Sequence, residues 1–323
     1  MSLGVYVGTI GTSMWVSEDG GQEWLRPYDD AGLYLESRVF TMTSQPHLGA
    51  SVLLGTDQGV YRWLGPQRKW EQLPTPFDQH PIWSLEQSPH DPAVILAGTR
   101  PAALHRSEDS GKSWRRIEAD LAQSCKFIEV TRVTRILFDP KDAKLVWAAV
   151  EIGGIWRSRD GGRTWSQTSG NDVTDDIHGL CVVNDKGRRK LFATSNKGLF
   201  VSWDEGDSWE MRPLESDWQY TRAIVQRADE TGVMFLTNGN GPPGTWGRLF
   251  RSNDLGETWR DCKLPDEANS TLWCVAVHPS EPRLIYVCSN FGQIWRSDDG
   301  GDTWLKLKRE FGEIRSMLLR PIE

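Results

Sequence analysis

An eight-residue pattern returns along the chain, and its spacing constrains the fold more than any other feature. Its last copy, residues 297–304, reads Ser-Asp-Asp-Gly-Gly-Asp-Thr-Trp, and the shared form is Ser-x-Asp-x-Gly-x-Thr-Trp. Further copies lie at 17–24, 107–114, 158–165, 202–209 and 252–259, and a worn copy ends at Trp70. The seven closing tryptophans recur about every 47 residues, a period that indicates propeller blades or repeat arrays.

The motif predicts the turn of a β-hairpin. Two short β runs joined by a Gly-containing turn lead into it, as at 284–288 and 293–297. Its Asp can accept hydrogen bonds from turn amides, its Gly can adopt a positive φ, and its Trp can cover the turn. We therefore expect a structural role for the motif aspartates, which are Asp19, Asp109, Asp160, Asp204, Asp254 and Asp299.

The two ends of the chain are expected to share one blade. Residues 5–9 match the second strand of later repeats, whereas residues 313–320 match the first strand. The last strand would then complete the first blade and remove the open edge of the ring. The sequence predicts one all-β, seven-bladed propeller over residues 1–323. Its expected blades are 312–321 with 3–26, then 36–73, 80–117, 131–168, 177–212, 220–262 and 271–308.

Composition narrows the possible functions. A net charge of −7 argues against a general binder of nucleic acid or of anionic membranes. Five cysteines, an odd number without a Cys-x-x-Cys pair, indicate free thiols in a reducing compartment. No apolar stretch has transmembrane length, and the start of the sequence lacks the charged and apolar regions of a signal peptide. The histidines do not show the spacing of metal ligands. We therefore expect a cytoplasmic monomer without cofactor or metal.

The inner strands, aligned on one another, place seven side chains at one level near the mouth of the central channel. These side chains are Arg38, Trp83, Arg135, His178, Arg222, Trp273 and Arg315. Four arginines in an acidic protein favour a carboxylate, sulfate or phosphate ligand held by paired N–H donors. Trp83 and Trp273 could offer flat faces to a sugar ring or an aromatic ligand.

An alternative is a channel filled by ion pairs. Glu36 and Arg38 stand two residues apart on a strand, as do Glu313 and Arg315, so each pair shares one face. Carboxylates in these positions would neutralise the arginines and leave no space for a ligand.

Glycoside hydrolysis would require two carboxyl groups about 5–10 Å apart. Acidic residues are expected on the upper face, where loops lead into the inner strands, at Glu36, Asp57, Glu151, Asp175, Asp176 and Glu313. Asp176 precedes His178 by two residues, and Glu151 lies between a second and a third strand, so both could point inward. The candidate catalytic residues are Asp176, Glu151, Glu36 and His178.

The motif residues resemble the Asp boxes of bacterial-neuraminidase (BNR) repeats, over nearly the whole chain. The resemblance implies a β-propeller whose boxes lie on the face away from any active site. Sialidases are similar in their boxes and in an arginine cluster, but they are six-bladed and carry an Arg-Ile-Pro segment that is missing here. Tyr220 would have to be their nucleophilic tyrosine. Sortilin-type receptors share the boxes but are larger and secreted.

Two other families with Asp boxes are similar in repeat style or blade number. Xyloglucanase-like glycoside hydrolases have a Gly-Thr-x-x-Gly segment before the box, as at 55–59, but place a cleft between two seven-bladed propellers. Photosystem II assembly factors of the Ycf48 type have seven blades and an arginine patch, and bind protein without catalysis. These resemblances imply a glycosyl hydrolase-like propeller that binds an anionic or sugar-like ligand at its arginine-lined mouth. The alternative is a non-catalytic scaffold that docks a partner protein on its upper face.

Overall fold

The computed structural model describes residues 2–26, 31–45, 51–124, 129–168 and 176–322. The described residues form seven antiparallel sheets, six of four strands and one of three, and each sheet is one blade. This arrangement confirms the predicted all-β, seven-bladed propeller.

The strands are numbered in chain order. Blade 1 contains β1 (Leu3–Thr9), β2 (Met14–Ser17) and β27 (Ile314–Pro321). Blade 2 contains β3 (Val39–Thr43), β4 (Leu53–Thr56), β5 (Gly59–Leu64) and β6 (Lys69–Gln72), and blade 3 contains β7 (Ile82–Gln87), β8 (Ile95–Thr99), β9 (Leu104–Ser107) and β10 (Arg115–Arg116). Blade 4 contains β11 (Val133–Phe138), β12 (Val146–Val150), β13 (Gly154–Ser158) and β14 (Ser166–Gln167). Blade 5 contains β15 (Ile177–Asp185), β16 (Arg188–Ser195), β17 (Leu199–Ser202) and β18 (Glu210–Arg212). Blade 6 contains β19 (Tyr220–Gln226), β20 (Met234–Gly239), β21 (Gly247–Ser252) and β22 (Arg260–Asp261), and blade 7 contains β23 (Leu272–Ala276), β24 (Ile285–Ser289), β25 (Ile294–Ser297) and β26 (Leu305–Lys306).

The last strand closes the ring, as predicted. β27 pairs with β1 from Leu3 opposite Pro321 to Thr9 opposite Ile314. The inner strands contact one another in the order β27, β3, β7, β11, β15, β19 and β23, and β23 contacts β27. Because the circle is complete, no inner strand is left without a neighbouring blade.

The hydrophobic core lies between neighbouring blades. Every residue of β12 is buried, and so is every residue of β8, as expected for strands covered on both faces. Trp147 of β12, for example, belongs to one buried cluster with Ile177 and Leu191 of blade 5. The fold therefore depends on contacts between blades as much as on contacts within them.

The repeated motif forms the turn between the third and fourth strands. Asp299 Oδ1 accepts the N–H of Thr303 at 2.9 Å, and the N–H of Gly301 donates to Ser297 Oγ at 2.8 Å. Gly301 has φ 92°, and a Cβ there would lie 2.6 Å from the Phe235 ring of the neighbouring blade, so the turn requires glycine. In the worn copy of blade 2, a 3₁₀ turn (Gly65–Gln67) takes the place of this turn.

Cationic side chains of one blade contact the motif turn of the next blade. We call these contacts inter-blade clasps: Arg62 to the carbonyl of Ser110, Arg106 to Gly161, Arg157 to Glu205, Lys190 to Leu255, Arg227 to Gly300 and Arg296 to Gly20. Because the four strands of a blade alternate in direction, the motif turns and their clasps lie on the face opposite the starts of the inner strands. We call the face at the strand starts the upper face.

Helical structure is scarce in the described residues, and no helix there is long and apolar enough to cross a membrane. Cys181, Cys262, Cys274 and Cys288 are free thiols, whereas Cys125 lies outside the described residues.

Candidate functional site

A β-bulge interrupts the upper part of every inner strand. The pairing with the second strand shifts in register at the same level in all seven blades. The side chains at these shifts, which we call the bulge ring, are Phe40, Trp83, Thr134, His178, Arg222, Trp273 and Arg315. A bulge changes the direction of a side chain. All seven members line one cavity of about 350 Å³ in the channel.

Five of the seven side chains expected at this level belong to the bulge ring, and two do not. Arg38 is exposed and is not among the residues that line the cavity; its backbone N–H donates to Asp57 Oδ1 at 2.9 Å. Phe40 takes its place. Arg135 lines the cavity one residue below the ring, where Thr134 is the ring member. The alignment failed at both positions because a bulge leaves no mark in the sequence.

Three guanidinium groups stack on two indole rings that line the cavity. Arg132 lies 3.9 Å from the centroid of the Trp83 ring, and Arg222 lies 3.7 Å from that of Trp273. Arg315 lies 4.7 Å from the Trp273 ring and 5.5 Å from the Trp83 ring. We call these five residues the Arg–Trp arc. Sequence reasoning missed Arg132, which precedes the ring position of blade 4 by two residues.

The indole faces in the arc are already covered. Trp83 stacks on Phe40 with ring centroids 4.6 Å apart and receives Arg132 as well, and Trp273 receives Arg222 and Arg315. Cation–π contact is favourable when the cation is partly desolvated, as here. The arc therefore offers the edges of its guanidinium groups, rather than flat indole faces, to a ligand.

Two arginines of the arc form ion pairs with carboxylates, whereas the third donates to a tyrosine hydroxyl. Arg132 forms an ion pair with Glu151, and Arg315 forms one with Glu313. Arg222 donates from Nη1 to the Tyr220 hydroxyl at 3.2 Å, and no carboxylate of the described residues lies within salt-bridge distance of it. The expected Glu313–Arg315 pair is thus present, but it leaves the cavity open and Arg222 available.

Burial weakens the charged state of the arc. It lowers the pKa of Arg315 to about 10, although Glu313 opposes the shift, and it lowers the pKa of Arg132. The Nε atoms of Arg132 and Arg315 and Nε1 of Trp83 are buried without an acceptor in the described part of the chain. All three are donors, so the arc carries more donors than acceptors.

His178 is the titratable member of the bulge ring. Its Nδ1 lies 2.6 Å from the carbonyl oxygen of Thr221, which can only accept, and its Nε2 lies 3.4 Å from Asp176 Oδ1. Burial and then the charge of Arg222 lower the pKa of His178, although Asp176 opposes this. The Thr221 carbonyl requires a proton on Nδ1, and a hydrogen bond to Asp176 would require a second proton on Nε2.

The candidate catalytic carboxylates fall into two groups. Glu151 and Asp176 pair across neighbouring blades by a β-bridge, which brings their Cβ atoms to about 5 Å. Burial raises the pKa of Asp176, but His178, Arg222 and Arg132 together hold it below its usual value. Glu36 is exposed and outside the cavity lining. Asp175 lies outside the described residues.

A carboxyl group that sequence reasoning missed lies below the bulge ring. Glu86 lines the cavity; its Oε1 accepts the Thr43 hydroxyl at 2.8 Å, and its Oε2 lies 3.7 Å from Nη1 of Arg135. Burial raises the pKa of Glu86, and Arg135 and the hydrogen bonds oppose this. The one available signal was a charged residue within the apolar inner strand Ile82–Gln87.

No three His, Cys, Asp or Glu side chains of the described ranges are grouped so that they could hold a metal ion.

Comparison with known proteins gives relatives of several kinds, and no family model matches the chain. Xyloglucanase Xgh74A of Acetivibrio thermocellus is 25% identical over 80% of this chain and 36% of its own length. An oligoxyloglucan-reducing end-specific xyloglucanase of Emericella nidulans is 31% identical over 62% of this chain and 29% of its own length. Sortilin of Mus musculus is 27% identical over 65% of this chain and 24% of its own length. The chain therefore spans about a third or less of the length of these relatives.

Solved structures support the fold. The GH74 xyloglucanase of Xanthomonas campestris is 18% identical, with a TM-score of 0.68 over 94% of this chain and 52% of that protein. Ycf48 of Cyanidioschyzon merolae is 18% identical, with a TM-score of 0.58 over 88% of this chain and 94% of that protein. A Ycf48 structure bound to D1 peptide is 15% identical, with a TM-score of 0.56 over 84% of this chain and 81% of that protein. The chain is a seven-bladed β-propeller with homologues among xyloglucanases and sortilin, consistent with the BNR-like propeller family.

Proposed function

We propose that this glycosyl hydrolase-like propeller binds a small anionic ligand, with a carboxylate at the Arg–Trp arc. The observation that carries the proposal is Arg222, a guanidinium that lines the cavity and has no carboxylate of the described residues within salt-bridge distance, although its charge acts on Asp176. Its stacking on Trp273 fixes the plane of the group, so its N–H donors are oriented before a ligand arrives. Hydrogen bonds from a charged donor to a carboxylate are about twice as strong as neutral ones.

The covered indole rings favour an anion over a neutral sugar. A sugar ring binds to an open aromatic face, and in the arc Phe40 or a guanidinium already lies on the faces of Trp83 and Trp273. A carboxylate needs only N–H donors, and Arg222 lines the cavity. Displacing Arg222 from Trp273 to admit a sugar would sacrifice the cation–π contact, about 0.5–2 kcal/mol.

A hydrolytic mechanism through Glu151 and Asp176 is less well supported. The ion pair with Arg132 engages Glu151, and the lowered pKa of Asp176 keeps that group ionised. A general acid must instead be protonated near the working pH. Binding without turnover at this pair is therefore the function that these contacts favour.

A thermal-shift screen tests the proposal. Benzoate, sulfate and the neutral disaccharide cellobiose are each titrated into the wild type, into Arg222→Gln and into Arg68→Gln, a control whose side chain is 72% exposed. A ligand that binds only the folded state raises the melting temperature with its concentration. We expect benzoate to raise it in the wild type and the control, and to have an effect at least tenfold weaker in Arg222→Gln, since a charged hydrogen bond contributes about 1.5–3 kcal/mol. A shift with cellobiose and none with either anion would contradict the proposal.

A second candidate is a scaffold that docks a protein on the upper face. It is favoured by Tyr34, Trp218 and Phe291, large exposed side chains in loops that the strand order assigns to this face. Exposed aromatic residues are enriched at protein interfaces. If no small anion stabilises the wild type and Arg222→Gln melts several degrees lower without ligand, the arginines are structural and the scaffold leads.

A further inference from the structure

A second cavity, which we call the rim pocket, lies at the upper face beside the outer strands of blade 3. Its volume is about 420 Å³, a size that suits a small molecule. It is formed by the loop between β6 and β7, the turn between β8 and β9, and the loop after β10. None of its described lining residues also lines the central cavity. The rim pocket is therefore separate from the Arg–Trp arc.

A buried histidine without a hydrogen-bond partner lines the rim pocket. His105 is 6% exposed, and its ring stacks on Phe77 with centroids 3.9 Å apart. Its Nδ1 is buried and has no hydrogen-bond partner among the described residues. Buried polar groups nearly always have such a partner. An unpartnered imidazole in the wall of a cavity therefore favours a polar ligand there.

Arg116 lies beside His105. The two residues pair directly across β9 and β10, so their side chains share one face of the blade, with Cβ atoms about 5 Å apart. The Arg116 side chain is exposed, and no carboxylate of the described residues lies within ion-pair distance of it. The N–H donors of its guanidinium group are thus available to a ligand in the pocket.

His80 completes a set of three donor groups. It is exposed in the loop between β6 and β7, and it lines the rim pocket together with Arg116 and His105. Two other polar groups of the lining are already used, because the Thr99 hydroxyl and the Gln123 amide nitrogen donate to backbone carbonyls at 2.6 and 2.9 Å. The groups left for a ligand are therefore mainly donors.

The charges around the rim pocket favour an anion. No Asp or Glu is among its described lining residues. The acidic residues of the surrounding loops lie outside the lining: Asp78, Glu118, Asp120 and Glu129. Burial, and then the charges of Arg116 and His80, lower the pKa of His105 to about 4, and no carboxylate opposes this shift. A negative group here would meet cationic and donor groups without a competing carboxylate in the lining.

A phosphate group matches these donors. It has three oxygens that accept hydrogen bonds and a charge of about −1.5 to −2 near pH 7, whereas a carboxylate has two oxygens and one charge. Pro76 and Pro101 add apolar surface to the lining. We propose that the rim pocket binds a small phosphate monoester with an apolar body. The phosphate accepts from Arg116, His105 and His80, and the body lies against the two prolines.

An NMR titration with phenyl phosphate tests the site. The imidazole signal of His105, assigned by its loss in His105→Gln, reports binding in the rim pocket rather than at the arc. We expect a saturable shift in the wild type and a dissociation constant about ten- to a hundredfold higher in Arg116→Gln, since a hydrogen bond between charged groups supplies such a factor. The matched control is Arg115→Gln. Arg115 is also exposed, but its side chain points to the opposite face of β10, so the affinity should change by less than about threefold.

Two further ligands test the chemical class. Inorganic phosphate lacks the apolar body, and we expect it to bind in the rim pocket at least about threefold more weakly than phenyl phosphate does. Benzoate keeps the ring but has fewer acceptors and less charge, and we expect it to bind there at least about tenfold more weakly. The shift of the His105 signal measures both affinities.

The outcomes concern the rim pocket alone. No shift of the His105 signal with phenyl phosphate, or equal affinities in the wild type and Arg116→Gln, would overturn the binding site. Equal affinity for inorganic phosphate and phenyl phosphate would overturn the apolar body, and tighter binding of benzoate would overturn the phosphate. The carboxylate site at Arg222 is tested by a different variant, so either site can fail while the other stands.

Discussion

At the scale of single residues, His105 shows how burial sets the pH dependence of stability. Its ring is buried against Phe77, with centroids 3.9 Å apart, and burial lowers its pKa to about 4, with smaller effects of Arg116 and His80. The unfolded state, with a pKa near 6.5, then binds the proton more readily than the folded state does. Stability should therefore fall as the pH falls from about 6.5 to about 4.

The change that tests this is His105→Gln. Without the titrating ring, the decline in the free energy of unfolding between pH 6.5 and pH 4 should become shallower, whereas the control Arg68→Gln, at an exposed side chain, should keep the wild-type slope. Urea unfolding at several pH values measures both. An identical slope in His105→Gln and the wild type would show that another group causes the loss of stability at acidic pH.

The motif aspartates make a second prediction at this scale. Asp160 accepts the N–H of Thr164 at 2.9 Å and its hydroxyl at 2.6 Å; burial opposes the shift, but these hydrogen bonds hold its pKa at about 2. Asp160→Ala should lower the free energy of unfolding by about 1–2 kcal/mol, toward the lower end for charged hydrogen bonds because the group is partly exposed. Glu71→Ala, exposed on β6, should change it by less than about 0.5 kcal/mol. Equal effects in urea titrations would remove the structural role assigned to the motif.

Sequence reasoning reached the motif residues more securely than the channel residues. The motif aspartates can be recognised in the sequence because a turn of this kind requires particular residue types at fixed spacing. The members of the bulge ring depend instead on where the register shift falls, which is Phe40 rather than Arg38 in blade 2 and Thr134 rather than Arg135 in blade 4. Trp83 and Trp273 were found, but Trp83 is covered by Arg132 and Phe40, and Trp273 by Arg222 and Arg315, all from neighbouring blades.

At the scale of strands and turns, the inter-blade clasps are the feature that local sequence does not reveal. Arg106 precedes a motif serine, yet its function depends on the motif turn of the following blade, 55 residues away, where its Nε donates to the carbonyl of Gly161 at 3.1 Å. The repeat period predicts the blades. It does not predict which side chain crosses from one blade to the next.

A clasp can be removed without touching the cavity. Arg106 is 2% exposed, so Arg106→Met leaves the Gly161 carbonyl without its partner in a buried place and should lower the free energy of unfolding by about 1–3 kcal/mol. Arg68→Met, which removes the exposed pair with Glu18, should cost less than about 1 kcal/mol. Chemical denaturation measures the free energy of unfolding of both variants. A larger decrease in Arg68→Met than in Arg106→Met would contradict the stabilising role of the clasp.

At the scale of the whole molecule, closure by β27 makes the ring one cooperative unit. Leu319 is 1% exposed and pairs with Val5 across the closing seam. Leu319→Ala should lower the free energy of unfolding by about 2–5 kcal/mol through lost burial and a cavity, and the protein should still unfold in one transition. Leu305→Ala, 64% exposed on β26, is the control and should have little effect. A separate early transition for blade 1 would show that closure does not couple the blades.

The molecule as a whole is acidic, while its cavity presents guanidinium groups. With a net charge of −7 the distant field repels anions, so binding depends on short-range contacts within the channel rather than on attraction from solution. The sequence could predict the ring, its closure and a concentration of arginines at one level. It also predicted the Glu313–Arg315 pair, but it could not predict that Arg132 pairs with Glu151, because that contact depends on how two strands of blade 4 align.

The most direct test of the anion site is a calorimetric titration of benzoate into the wild type and into Arg222→Gln. We expect a single site in the wild type and a dissociation constant raised by about ten- to a hundredfold in the variant, with the melting temperature of the free protein little changed. Equal affinity in the two proteins, or no binding to a folded wild type, would contradict a carboxylate site at Arg222.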